Sequence, residues 1–482
     1  MNRILAPDRL AALVGDFNRS PAYRGLRLSL QELIGDGRIP NGTRLPSERA
    51  VTLALGVSRN TVTRAYGDLV AAGFATSRQG AGTYAAVPVE RRRAHDHALH
   101  SLGATAQESA IDLNRAAGAA TPGVAAAYAR ALTQLPSYLG SDGYLPSGLP
   151  DLQALIAASY GRRGLPTAPE QIVITPGALS GIAIVSRALS RPGDRVMIES
   201  PIYPNAIGAL RVGGGRLISS PLADPLGEEG WDMEGIEATL RQTSPHLAYL
   251  IPDFQNPTGF LMGDHMRVRY ASALRAVKTV AIVDETLQTT NLGDQPMPAP
   301  FAAYLPDAIT LGSASKMFWG GLRVGWIRTP RSLLSRMLAA RVQLDLGTSL
   351  FDQLVVAELL GDDKIRADRR EHLRQRRDAL AQALHEHLPG WRFRLPEGGL
   401  TLWVQMPHGS ATDLASDMER HGVFVAPGPV FSVEGGADGW LRIPYAKPTE
   451  ELVEAVRQIA KVWTAHPVAV KRRREASRLL VA

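Results

Sequence analysis

The sequence predicts an α/β multidomain protein: a small basic unit of helices and one β-hairpin, then a larger domain on a mixed, mainly parallel sheet with flanking helices. Three observations predict it. Apolar residues recur at helical spacing from Tyr23 to Ile34, and two serine-led helical stretches follow, separated by a glycine. Beyond Ile111, short apolar strands (QIVIT, RVMIES, LAYLIP, TVAIVDE, AITLGS) alternate with helical stretches, the rhythm of a parallel sheet. Charge divides the chain in the same way. Residues 1–93 hold fourteen arginines and seven acidic residues, which is the whole net +7, and the other 389 residues are neutral.

With 482 residues, 45% hydrophobic and 21% charged, the chain can bury a large core and a smaller one. It has no cysteine, which excludes a disulfide framework and a thiolate metal site. His95, His97 and His100 cluster in a polar stretch that reads as a solvated linker, so no metal is expected. No apolar run approaches the roughly 20 residues of a membrane span, and the start MNRILAPDRL lacks the apolar core of a signal peptide. A cytoplasmic protein with no membrane partner is expected.

In the front unit, Leu26, Leu30, Leu33 and Ile34 mark one helical face, and the glycine-rich run 35–42 ends it. Ser47 can cap a helix running to about Leu55, and Gly56 can turn the chain. Ser58 can cap a second helix, to about Ala72, with Arg59, Asn60, Thr61, Thr63 and Arg64 on its first two turns. Two short helices joined by a tight turn form a helix-turn-helix, whose second helix enters the DNA major groove. After Gly73, residues 74–76 and 80–84 read as a hairpin, or wing, with Arg78 and Gln79 at its tip. The basic excess suits a phosphate backbone as partner. The run LPSER, GVSRNTV, AYGDL, GF and a glycine-rich wing resembles the GntR family of winged-helix regulators. That resemblance implies that Arg49, Ser58, Arg59, Thr61 and Arg64 face double-stranded operator DNA, with Gln79 and Gly80 near the minor groove. Residues 20–86 are the expected DNA-binding domain, and the charged, aperiodic residues 87–110 the linker.

Residues 111–465 form the expected second domain, and a basic tail, 466–482, includes Lys471–Arg474. Ligands of a parallel sheet bind at the carboxyl ends of its strands. Those ends carry Gly177-Ala178, Tyr203, Asn256, Asp284 and Ser313-Ala314-Ser315-Lys316. Asn256 and Asp284 are 28 residues apart, Asp284 and Lys316 are 32 apart, and Arg323 follows Lys316 by 7. This order resembles the fold-type I pyridoxal-phosphate enzymes, the class I/II aminotransferases. With the front unit, the chain resembles the MocR subgroup of GntR regulators.

The resemblance implies pyridoxal 5'-phosphate held through an internal aldimine at Lys316, the one residue expected to carry any chemistry. It implies that Asp284 keeps the pyridine nitrogen protonated, Asn256 donates to the phenolate oxygen and Tyr203 stacks on the ring. Gly177, Ala178, Ser313, Ser315 and Arg323 would hold the phosphate, and Arg442, in WLRIPYA, would clamp a carboxylate. It also implies a homodimer, with one chain's front domain lying over its partner's back domain as one option. Two departures stand out. Thr286 occupies a position where many members carry a tyrosine, and Gly320 stands where proline is usual. The function expected is a DNA-binding regulator that senses an amino compound or the cofactor itself. The alternative is an active aminotransferase with a DNA-binding appendage.

Overall fold

The structure, a computed structural model, describes residues 4–78, 81–88 and 110–465. Gln79, Gly80, the histidine cluster and the basic tail lie outside the described residues.

The front unit is built on local signals. Helices α1 (Pro7–Val14), α2 (Ala22–Gly35), α3 (Glu48–Leu55) and α4 (Arg59–Ala71) precede a hairpin of β1 (Ala75–Arg78) and β2 (Gly82–Ala85). Ser47 Oγ accepts from the Ala50 amide at 3.3 Å and Ser58 Oγ from the Thr61 amide at 3.1 Å, so both serines cap as their positions predict. Gly56 closes α3 in the left-handed conformation, φ +61°, which favours glycine. Leu26, Leu30, Leu33 and Ile34 bury against Val51, Val62 and Leu69. The same core takes in Leu5, Leu10 and Val14 of the α1 region, ahead of residue 20. Arg78 closes the hairpin: it pairs with Gly82 as the last pair of the ladder, directly before residues 79 and 80. Its guanidinium lies over the Tyr84 ring, 4.8 Å from the centroid.

In the back domain a seven-stranded sheet runs in the order β4 (Ile172–Thr175), β10 (Gly325–Arg328), β9 (Ile309–Ser313), β8 (Val280–Asp284), β7 (Leu247–Leu250), β5 (Arg195–Ser200), β6 (Arg216–Pro221). β10 pairs antiparallel with both neighbours and the other pairings are parallel. Helices cover both faces, so its strands read as continuous apolar runs. Alternate residues go opposite ways: Ile172, Ile174, Met197, Ala248 and Leu250 pack into one core, Val173, Val196, Ile198, Leu247 and Tyr249 into the other.

A smaller antiparallel sheet, β11 (Arg392–Phe393), β12 (Thr401–Gln405), β15 (Trp440–Pro444) and β14 (Ala426–Pro427), carries its own core with the helix Thr449–Ala465. β3 (Ile111–Asp112) pairs in parallel with β13 (Val423–Phe424), which ties the first described residues of this domain to its last third. A long helix, Asp363–His387, packs against the helix Thr449–Ala465. Its sequence is a run of charge, yet five of its six arginines turn inward, Arg370 being exposed. Arg366, Arg369, Arg374, Arg376 and Arg377 donate to the carbonyls of Leu360, Lys316, Leu292, Ala446 and Pro396, at 2.8–3.1 Å. The front and back meet where the Gly436 amide donates to the Asp36 carbonyl at 3.0 Å. Among the described residues no helix is long and apolar enough to cross a membrane.

Candidate cofactor and effector site

The loops that follow β4, β5, β7, β8 and β9 leave one edge of the sheet and line a cavity of about 410 Å³. Gly177, Ala178, Tyr203, Asn256, Asp284, Ser313, Ser315, Lys316, Arg323 and Arg442 all line it, so residues spread over 266 positions converge.

One end of the cavity is a cup for an anion. The helix Ala178–Leu189 begins there, and its first amides have no partner within the helix. Gly177 has φ +101°, a backbone conformation that favours glycine, and Arg323 Nη2 lies close beside it. Arg323 is exposed to the cavity and donates to the Pro176 carbonyl at 2.7 Å. No carboxylate pairs with it among the described residues.

The floor is a buried carboxylate. Asp284 is 4% exposed, accepts from Tyr249 Oη at 2.6 Å and from the Thr286 amide at 2.9 Å. Burial pushes its pKa up, and those two donors pull the other way. Lys316 sits in the short helix Ala314–Met317, and its Nζ donates to the Ala116 carbonyl at 2.9 Å. Burial, then the Arg442 charge, lowers its pKa to about 8, against the opposing pull of Asp284. A lysine so placed is largely neutral under mildly alkaline conditions and can act as a nucleophile.

Arg442, on β15, is 5% exposed and lies over the Phe431 ring, 4.8 Å from the centroid. It donates to the Asn114 carbonyl and, at 3.5 Å, to Asn256 Oδ1, while its Nε is buried without a partner. Burial lowers its pKa to about 10. A buried N–H left unpaired beside a cavity suits an incoming oxyanion. Tyr203 accepts from Asn205 Nδ2 at 3.0 Å, and burial raises its pKa.

Sequence reasoning missed several members. The segment Asn114–Ala117 supplies backbone oxygens to both Lys316 and Arg442, and a polar run just after a two-residue strand gives little signal. Tyr249, the donor to Asp284, and Glu199, which lies outside the cavity lining, sit within apolar strands and read there as core. Glu199 is 1% exposed and accepts from Trp231 Nε1 at 2.7 Å, and burial pushes its pKa up to about 7. Thr286 lines the cavity and also a second one of about 260 Å³ behind it.

On the front unit, Arg49, Arg59 and Arg64 are exposed. Arg59 approaches Glu48 at 3.7 Å with 79% of its side chain exposed, and the Arg64 guanidinium sits 3.7 Å from the Tyr23 ring centroid. Ser58 and Thr61 hydroxyls bond each other at 2.9 Å, which locks the first turn of α4.

Residues 121–459 match the family described as Aminotransferase class I and II. The chain belongs to that family. At its front, residues 22–85 match Bacterial regulatory proteins, gntR family, so this aminotransferase-family chain joins the two. It is 30% identical over 398 residues to the probable rhizopine catabolism regulatory protein MocR of Rhizobium meliloti, covering 77% of this chain and 78% of that one. It is 28% identical over 466 residues to YdcR of Escherichia coli, an uncharacterized HTH-type transcriptional regulator, covering 91% and 98%. Its fold is similar to that of LysN, an α-aminoadipate aminotransferase of Thermus thermophilus complexed with N-(5'-phosphopyridoxyl)-L-leucine. The TM-score is 0.68 at 28% identity, over 77% of this chain and 97% of that one.

Proposed function

We propose that this chain is a transcription regulator that binds operator DNA through its front unit and pyridoxal phosphate at Lys316, and senses an amino compound or the cofactor itself. One observation carries the reading: an anion cup, a buried carboxylate and a lysine of lowered pKa share a single cavity with Arg442. A flat pyridine aldehyde bearing a phosphate fits that donor set. When bound, the cofactor supplies an aldehyde carbon that takes an amine and a ring that withdraws electrons. Gly177, Ala178, Ser313, Ser315 and Arg323 hold the phosphate, Asp284 pairs with the ring nitrogen, Asn256 donates to the ring oxygen and Tyr203 covers the ring. Lys316 Nζ is the covalent anchor, and Arg442 takes the effector's carboxylate.

The relatives named as regulators span both heads, which supports regulation as the purpose. Coupling has a physical basis too. The loop from Gly428 to Gly439 touches Asp36 at Gly436, while Phe431 underlies Arg442 and its carbonyl accepts from the Ile202 amide, beside Tyr203, at 2.7 Å. An effector shifts the heads only if it prefers one arrangement of them. We take residues 20–86, with α1 packed on them, as the DNA-binding domain, 87–110 as the linker, 111–465 as the cofactor domain and 466–482 as a basic tail. A homodimer, reading two half-sites in the cytoplasm, follows from this scheme. Exposed Leu139, Tyr144, Leu344 and Leu346 support it, and Gly347 lies against Leu145, so these apolar segments adjoin.

The second reading, an active aminotransferase carrying a DNA-binding unit, is favoured by Arg442 and by the likeness to LysN. Thr286, too short to replace a tyrosine's donor, weighs against it. Added cofactor should give a visible absorbance band that Lys316→Ala lacks, and wild type that stays colourless would sink the proposal. Fast single-turnover conversion across a panel of amino acids would put the enzyme reading first.

A further inference from the structure

We propose that Arg369 is a positioning residue for Lys316: it holds the lysine's turn from behind and keeps the amine ready in the cavity, touching neither cofactor nor effector. The inference rests on the reading that Lys316 captures the cofactor.

The turn needs holding. The helix Ala314–Met317 is four residues long, so the carbonyl of Lys316 has no partner within it. Arg369 Nε donates to that carbonyl at 3.0 Å. Its neighbours on the long helix Asp363–His387 make different bonds. Arg366, Arg374 and Arg377 each pair with a carboxylate as well as a carbonyl. For Arg369 and Arg376, no carboxylate partner occurs among the described residues. Arg369 is largely buried, and burial, then the Arg376 charge, lowers its pKa to about 10. A cation kept from water without an anion costs stability, and a structural staple could be made with a neutral donor.

Arg369 and Arg376 are seven residues apart, on one face of the helix. Arg376 Nη1 donates to the Ala446 carbonyl at 3.1 Å, and Gly118 packs so closely on that carbonyl that a Cβ would collide with it. Two residues before Gly118, the Ala116 carbonyl accepts from Lys316 Nζ. One helix therefore holds the lysine through Arg369 and, through Arg376, the segment that the amine touches. The charged groups facing Lys316 from the other elements are Arg442 on β15, Asp284 on β8 and Arg323 beyond the lysine's turn. Arg115, on the segment 114–117, is 3.8 Å from Asp112. Arg369 is the cation among these that lies outside the cavity wall, so its removal leaves the binding groups intact.

The test is the rate of pyridoxal phosphate capture by the full-length protein from pH 6 to 10. It is read by absorbance and by mass after borohydride trapping on Lys316, with operator affinity and melting temperature measured alongside. Capture joins the neutral Nζ to the aldehyde carbon and releases one water. In Arg369→Met the midpoint of the pH profile should move up by a few tenths of a unit, making capture at pH 7 roughly twofold slower and equal to wild type at high pH. Arg369→Lys should restore the midpoint, and operator affinity should stay unchanged. If the Met variant does not fold, Arg369→Gln makes the same comparison. An unchanged profile would overturn the inference. So would a loss equal at every pH that lysine does not rescue, since that marks a merely structural bond. Wild type that captures no cofactor at any pH overturns the cofactor reading itself, and this inference with it.

Discussion

Lys316 and Asp284 were legible because strand ends are where a parallel sheet presents its ligands, and each sits at one or just past one; Arg323 and Arg442 were reached through the family resemblance, and Arg442 stands mid-strand in β15 of the smaller antiparallel sheet. Glu199 was not legible, since a lone carboxylate in an apolar strand looks like a strand terminus until its neighbours are known. Its chemistry gives a prediction. The folded pKa is raised to about 7 from an ordinary 4.5, so its stabilising contribution is full below about pH 4.5 and lost as pH rises through 7. Wild type should lose on the order of 3 kcal/mol across that window from this group, and Glu199→Gln should not. Denaturant unfolding of both at pH 5 and pH 8 measures the difference, whatever the variant's absolute stability. Thr286 gives another. The residue lines the cofactor cavity, so Thr286→Tyr should bring a hydroxyl donor into it and speed single-turnover conversion of an amino acid by about tenfold or more. An unchanged rate would mean that the missing donor is not what separates this chain from an enzyme.

Elements fared according to how local their signals are. Ser47, Gly56 and Ser58 act within three or four residues of chain, and α3 begins and ends, and α4 begins, where those residues stand. Helix α1, in contrast, has no side-chain cap, and only its burial against α2 and α3 makes it part of the front unit. The long helix Asp363–His387 carries no comparable local signal, because sequence does not reveal which carbonyls its arginines reach. For α4, Ser58→Ala should destabilise the front unit by about 1 kcal/mol, read as a lower melting transition. Arg59→Ala should weaken operator binding and reduce the salt slope by about one, with cofactor absorbance intact. Loss of both together would contradict the division into two heads.

At the scale of the whole molecule, the point of contact between the heads is a glycine loop. Gly435 has φ +76°, and a Cβ there would collide with the Asp36 carbonyl and the Arg38 amide. Behind it, Ser432 Oγ lies 3.2 Å from Ser200 Oγ, next to the loop that carries Tyr203. Gly435→Ala should therefore leave cofactor absorbance unchanged while the effector's influence on operator affinity falls from a coupling of typically 5-fold or more to under about twofold. Titrations of operator DNA with and without ligand read this directly. Wild-type coupling in the variant would exclude this contact as the route.

Periodicity, caps and charge are properties of neighbouring residues. They were enough to divide the chain into a basic helix-turn-helix unit and a parallel α/β domain, and to mark the strand ends where Lys316 and its companions lie. Long-range partnership is another matter. That Lys316 Nζ meets Ala116, that its carbonyl meets Arg369, that Tyr249 donates to Asp284 and that Gly436 meets Asp36 depends on groups 35 to 400 positions apart. Those distances close only when burial of several cores brings the elements together, and a pattern a few residues long holds no record of them.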